Sequence, residues 1–472
     1  METQRAESAG ELLVMPSRSR RVIALVILSL AMTCAWADRT IIATIGQAIK
    51  VALKLSDAQL GMLNGFAFSI SFLLFALPMA WLAERISRAR LIAGVIALWS
   101  VFTTLSGAVG SFAQLLICRA GVGIGEAGCG PAAYSLISDY FRTERRASAL
   151  SIYNIGVPVG TLIGAVLGGI VTQLYGWRAA FFFLGAPGLL VAAIVWFFVP
   201  EVPRGLSDRL SGRTASETPS SILDAGKRLV SQATARHLFA AMVLQAFVTH
   251  GAGAFNAPFF IRVFHMNYAQ AGGIIGLSAG LAGAIGTLIG GFLADHLAAK
   301  WGKRWYAYIP ALSFCIASPL YVLAYMQSDW RVSVTLITLG GVAQYGFFSP
   351  LYASIYSLVD ARMRAAANAF IVVVTNLIAL LIGSMLIGWI IDHVSGSTFA
   401  ATGLGSFATS CPGGVPVTGA SAAVAHECGV AIGRGTAFGL EIAALGYFWA
   451  GIHCWLASRT IVRDLAGREP KH

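Results

Sequence analysis

Apolar residues in this chain fall in blocks of about 20, and polar residues gather in the short gaps between them. A block of that length crosses roughly 30 Å of hydrocarbon as an α-helix, which satisfies its own backbone hydrogen bonds where no water is available. Twelve blocks are readable, over 22–45, 58–83, 91–110, 113–137, 147–174, 179–199, 237–263, 269–296, 305–327, 332–358, 367–393 and 435–458. The pattern predicts an all-α polytopic membrane protein of twelve transmembrane helices, with almost no chain left for a soluble domain.

The blocks divide into two sets of six. Between them lies 200–236, which holds Pro, Ser, Gly and most of the exposed charge. It reads as a cytoplasmic linker between an N-terminal bundle (22–199) and a C-terminal bundle (237–458), flanked by an N-terminus (1–21) and a tail (459–472). An internal repeat supports the division. At a constant offset of 211, Gln59 matches Gln270, Gly61 matches Gly272, Gly65 matches Gly276, Leu82 matches Leu293, Ala83 matches Ala294 and Glu84 matches Asp295. Both acids lead into a basic turn: Arg85, Arg88 and Arg90 in the first half, Lys300, Lys303 and Arg304 in the second. Repeated halves of this kind are a known route to a central site with alternating access.

Composition agrees: 57% of residues are apolar and 11% charged, with a mean hydropathy of +0.73, against about 25% charged in soluble domains. Arg18, Arg20 and Arg21 before the first block imitate a secretory signal. The block is too long for one and lacks a small-residue cleavage site, so it reads as a retained helix. A net charge of +12 would suit a nucleic-acid binder, but 25 of the 33 Lys and Arg fall on segments sharing the N-terminal side and six on the other. That is the positive-inside bias, which predicts both termini in the cytoplasm of a plasma membrane, with a bacterial inner membrane preferred, and no nucleic-acid partner.

Seven cysteines are present, five of them inside blocks as small hydrophobes. Cys411 and Cys428 lie in the long outer loop 394–434, whose Gly, Ser and Ala content predicts little intrinsic order. If that loop faces an oxidising compartment, a disulfide between them restrains it by about 3 kcal/mol. No metal-ligand spacing and no nucleophile–base set appears, so neither metal, cofactor nor catalytic residue is expected, and the chain is not read as an enzyme.

Charges inside blocks carry the functional signal, because they are costly there and mark ion or substrate pathways. Asp38 and Arg39 are adjacent in the first block; Arg119 and Glu126 lie seven apart within RAGVGIGEAGCGP of the fourth, on one helix face. The glycines of that string are not a nucleotide loop, since no strand precedes them. A purely structural ion-pair cluster is the competing reading. In the second half the 211 offset sets His250 opposite Arg39, and aligning Pro131 with Pro350 sets Tyr345 opposite Glu126. Tyr134, Tyr153, Asn154, Asn256, Tyr352, Tyr356 and Glu441 are further candidates to line a central cavity.

AWLAERISRAR after helix 2 and GFLADHLAAKWGKR after helix 8 resemble the loop signature of the major facilitator superfamily, with Ala80 and Glu84 as departures from it. Glu84, Arg85, Arg88, Asp139, Arg145, Asp295 and Arg304 are then expected at an inner gate. Asp38-Arg39, FALPMAWLAERISR, ALWSVFTTLSG, the helix 4 string, SDYFRTERRASALSIYNIGVPVG and YGWRAAFFFLGAPG resemble the Spinster branch, over 36–201. The second half matches only in outline. The resemblance implies two pseudo-symmetric six-helix bundles and monomeric, proton-coupled transport of lysolipids or sphingolipid-like amphiphiles, with Asp38, Arg39, Arg119 and Glu126 coupling substrate to protons. Transport of a small organic anion is the alternative, with Arg39 and Arg119 as its ligands. A membrane receptor or enzyme is the remote one.

Overall fold

The structure is a computed structural model and describes residues 15–207, 222–359 and 363–466. Twelve helical segments follow in order: α1 (Arg18–Leu53), α2 (Asp57–Arg85), α3 (Arg88–Ser106), α4 (Phe112–Tyr140), α5 (Ser148–Tyr175) and α6 (Trp177–Phe198). After a short amphipathic helix, Ile222–Ser231, come α7 (Ala233–Gly253 with Asn256–Val263), α8 (Tyr268–Trp301), α9 (Trp305–Tyr325) and α10 (Trp330–Leu358). The last two are α11, running from Arg364 through a π-helical turn at Ala379–Gly383 to Ala400, and α12 (Ala422–Ala466). No strand occurs among the described residues.

Among the described residues, nine of these helices are long and apolar enough to span a membrane, or ten with the two pieces of α7, which meet at a 41° bend. The two left over are consistent with a twelve-helix bundle. Arg119, Glu126 and the glycines dilute α4, and the π-turn interrupts α11. In α5 the one-residue break at Ile155 lies three residues before Pro158, whose missing N–H cannot bond the Asn154 carbonyl four residues back.

α1 to α6 pack mainly on one another, as do α7 to α12, and two seams join the sets. The 211-residue repeat becomes physical at these seams. Ser56 and Asn267 each cap a helix N-terminus in a capping box closed by Gln59 and Gln270. A Cβ on Gly61 would stand 2.2 Å from the Ser384 carbonyl oxygen of α11, and one on Gly272 would stand 2.3 Å from that of Ala165 on α5. Reciprocally, Gly388 meets the Asp57 carbonyl oxygen and Gly169 that of Tyr268. Only glycine permits these backbone approaches, so α2/α11 and α5/α8 form matching seams.

The side bearing the starts of α1 and α7 and the ends of α4 and α12 carries most of the basic residues. Arg21 there donates to the Tyr140 carbonyl, and Asp464 accepts from Thr234 N. On the far side the halves are locked by buried charge. Lys50 Nζ lies 2.5 Å from Asp57 Oδ2, and Arg262 NH2 lies 2.6 Å from Asp57 Oδ1. Arg262 also donates to Gln47 and Thr436, while Asp392 on α11 accepts from Asp57 N and Ala58 N, capping α2 across the seam.

Three expectations are corrected. α1 runs to Leu53 rather than 45, because Asp57 neutralises Lys50 and the helix can carry that ammonium buried. α12 begins at Ala422 rather than 435, and α11 continues to Ala400, so much of the supposedly disordered loop 394–434 is helix. Its remainder is fixed by a Cys411–Cys428 disulfide packed with Phe399 and Ala431, and by Gly413, φ 71°, seated against the Lys50 carbonyl at the end of α1.

Candidate functional site

Asp38 and Arg39 are consecutive on α1, so they point about 100° apart. Asp38 looks into its own bundle, where it is 3% exposed. Thr103 of α3 donates to one of its oxygens at 2.8 Å and Arg119 of α4 lies 3.4 Å from the other. Arg39 looks to the centre of the molecule, and its Nε lies 2.5 Å from Glu126 Oε2 on α4. The charges therefore pair crosswise between α1 and α4. The Phe68 ring stands 4.8 Å from the Arg39 guanidinium and 5.7 Å from that of Arg119, between the two cations. Two buried atoms stay without a hydrogen-bond partner, Arg119 Nε and Glu126 Oε1.

Arg39 and Arg119 form part of the wall of a central cavity of about 420 Å³ between the two halves. Its other wall comes from α7 to α12, and the polar groups of α7, α9, α10 and α12 there form a hydrogen-bonded network. Thr249 Oγ1 pairs with Tyr447 OH at 2.9 Å and accepts from Gln245 and Gln344. Tyr321 donates to Gln344 Oε1 and Tyr325 to Asn256 Oδ1, both at 3.0 Å. A smaller pocket of about 170 Å³, lined by Met242, Phe347, Phe348 and Tyr352 among others, adjoins the cavity at His250 and Tyr345.

Of the residues expected at the cavity, His250, Asn256 and Tyr345 line it and Tyr352 lines the side pocket. The others lie outside both. Tyr153 is buried in the N-terminal core, and Tyr134 stacks edge-on to it while donating to Asn154 at 2.8 Å. Tyr356 donates to Asn368, and Glu441 lies at the depth of the cavity on α12, where Leu440 and Ala444 line the wall and Glu441 does not.

The residues expected at a gate on the basic side behave unequally. Arg88 alone makes a buried hub: its guanidinium lies 2.5 Å from Asp139 and 2.9 Å from Glu201, and donates to the Val202 carbonyl. Glu84 makes no such pair; it is exposed, and its carbonyl, with those of Ala83 and Ile86, accepts from Arg204 at the end of α2. Arg85 stacks on Trp81, Asp295 accepts from Tyr306, and Arg145 and Arg304 are exposed. Glu201 was missed in the sequence. Burial alone would raise its carboxyl, but the Ala89 N–H, the Ser87 hydroxyl and Arg88 together hold it below its ordinary 4.5. The far-side set Lys50, Asp57, Arg262 and Asp392 was missed too, because Lys50 and Arg262 read as topological charges. The signal that finds it is opposite charge at the same ends of four helices.

A bundle of this kind, with paired ions facing a cavity between two repeated halves, defines a multi-pass membrane transporter and not an enzyme. The family model of the Major Facilitator Superfamily matches residues 28–298 and 280–415, and the chain belongs to that superfamily. It is similar to the crystal structure of a bacterial homologue of the human lysosomal transporter Spinster, in an inward-facing, unoccupied conformation, with a TM-score of 0.85 and 28% identity, covering 95% of this chain and 99% of that one. It is 30% identical over 378 residues to an MFS-type efflux pump of Mycolicibacterium smegmatis, covering 78% of this chain and 84% of the relative. It is 24% identical over 392 residues to the hexuronate transporter of Bacillus subtilis, covering 79% and 89%.

Proposed function

We propose that the protein is a proton-coupled secondary transporter of an anionic amphiphile, working by alternating access in a bacterial inner membrane with its basic side and both termini in the cytoplasm. The halves 22–199 and 237–458 are the rocking units, joined by 200–236. One observation carries the reading: in the Arg39–Glu126 pair the arginine side chain is 31% exposed, on the cavity, and the glutamate 2%. An anion entering the cavity competes with Glu126 for Arg39 while Arg119 adds a second cation. Glu126 then faces an unbalanced negative charge at membrane depth, which a proton removes. Substrate and proton thereby favour the same loaded state, the requirement for coupling.

The far-side lock and the likeness to an inward-facing structure support reading this carrier as open to the cytoplasm. The side pocket, which joins the cavity at His250 and Tyr345 and carries Met242, Phe347 and Phe348, suits a hydrocarbon tail attached to the anion. The second reading, a small organic anion without a tail, is favoured by the polar second wall and by likeness to a hexuronate transporter. Purified protein in liposomes with an imposed pH gradient, offered lysophosphatidate, galacturonate and hexanoate, tests both. Protonophore-sensitive accumulation of lysophosphatidate supports the first reading, accumulation of galacturonate alone supports the second, and accumulation of neither rejects both.

A further inference from the structure

The internal repeat sets a charged network in one half against a neutral one in the other. The 211 offset brings Thr249 and His250 of α7 onto Asp38 and Arg39 of α1. In the first half Asp38 is held by Thr103 of α3 and Arg119 of α4. In the second, Thr249 is bonded to Gln344 of α10, which is bonded to Tyr321 of α9. The corresponding helices are used, but Asp38 is matched by the Thr249 hydroxyl and Arg39 by the His250 imidazole, and the bonding partners on α9 and α10 are a phenol and a carboxamide. The Thr249, Gln344 and Tyr321 network carries no charge to neutralise an anion; donating to and accepting from an uncharged oxygen is what these groups can do.

The amide orientations are fixed by tyrosines one helical turn apart. Tyr321 and Tyr325 stack with ring centroids 6.2 Å apart, and each engages a carboxamide oxygen, of Gln344 and Asn256 respectively, at 3.0 Å. With both oxygens occupied, the amide nitrogens are left as donors. One Gln344 hydrogen goes to Thr249, and among the described residues the Asn256 nitrogen donates to nothing. Both carboxamides line the cavity.

We infer that these two tyrosine–carboxamide pairs form a hydroxyl-reading subsite, and that the transported anion carries one or more hydroxyls beside its charged group. The inference rests on the anion-transport reading above and narrows its substrate class to hydroxylated anions, whether a lysolipid head or a sugar acid. A buried polar wall is costly unless satisfied, so a substrate that cannot bond to it strands these amides when the cavity closes. Sites built for a substrate hydroxyl reject analogues lacking it strongly; because this network is also partly self-bonded, the expected discrimination is roughly 10- to 100-fold.

The test pairs probes with and without hydroxyls: lysophosphatidate against hexadecyl phosphate, and galacturonate against hexanoate. Each is measured by quenching of Trp36, which lines the cavity, and by uptake into proteoliposomes. The wild-type protein is expected to prefer the hydroxylated member of at least one pair, and which pair identifies the source of the hydroxyl. Asn256→Leu and Gln344→Leu are expected to collapse that ratio toward one, and Tyr325→Phe, which frees the Asn256 amide to rotate, to lower it partly. Equal treatment of both members of both pairs by the wild-type protein overturns the inference, as does a ratio unchanged in all three variants. Discrimination in binding without pH-driven uptake upholds the subsite and rejects proton coupling instead.

Discussion

Asp38→Asn and Glu126→Gln are the same chemical change on two ion pairs one residue apart along α1, yet the structure predicts unequal costs. Asp38 and Arg119 are 3% and 1% exposed, so neutralising Asp38 strands a guanidinium that borders the cavity but is almost wholly shielded from water, with its Nε already unpartnered. Removing one partner of such a buried pair costs about 3–5 kcal/mol, or roughly 150-fold and more in the folding equilibrium. Glu126→Gln strands Arg39, whose side chain is 31% exposed to the cavity and keeps the faces of Trp36 and Phe68. Solvent screens that charge, and the cost falls to about 1 kcal/mol. Arg119→Met combined with Asp38→Asn leaves no stranded charge, and such replacements are often neutral. Unfolding of the purified protein in detergent, across the cycle of wild type, Asp38→Asn, Arg119→Met and their double, measures the coupling. It is expected at about 2 kcal/mol or more, near the top of the usual range for contacting residues. Strictly additive effects, or Asp38→Asn no worse than Glu126→Gln, would refute the crosswise pairing.

Three further outcomes follow from the far-side lock and the basic side. Arg262→Met breaks the cross-half bonds to Asp57 and Gln47; spin labels at Ala52 and His265 should show a longer distance population, and an unchanged distribution contradicts the lock. Cys411 and Cys428 should be unreactive to maleimide in intact oxidised protein and reactive after reduction; labelling of both without reductant contradicts the bridge. Glu201 is held below its ordinary 4.5, so it binds a proton more readily unfolded than folded. Its stabilisation is therefore complete above about pH 5 and is lost as pH falls through the folded value. Wild type should lose its melting-temperature advantage over Glu201→Gln in that acid range, and an advantage independent of pH rejects the role.

The all-helical membrane fold, the two-half repeat and the four central charges were legible because each leaves a one-dimensional trace: a block length, a constant offset, a charge inside an apolar block. The pairing of those charges was not, since adjacency of Asp38 and Arg39 in sequence says nothing of the turn that sends them to different partners. Glu84 drew attention through its motif, while Glu201, which joins Asp139 on Arg88, follows Pro200 in an unremarkable linker. The ends of α1 and α12 were misplaced for one reason. Lys50 and the 422–434 segment look too polar for helix until Asp57 and the disulfide supply their partners from elsewhere in the chain. Capping boxes at Ser56 and Asn267 were visible only as matched glutamines until the seams gave those helix starts something to cross.

The central claim, that Glu126 carries the coupled proton by yielding Arg39 to the substrate, is tested most directly by two assays on one variant. Proteoliposomes of wild type and Glu126→Gln are compared for lysophosphatidate accumulation driven by a pH gradient and for counterflow exchange without one. The account predicts that the variant loses gradient-driven accumulation and keeps exchange, because Arg39 and Arg119 still bind the anion while no group is left to take up the proton. Unimpaired pH-driven accumulation by Glu126→Gln contradicts it.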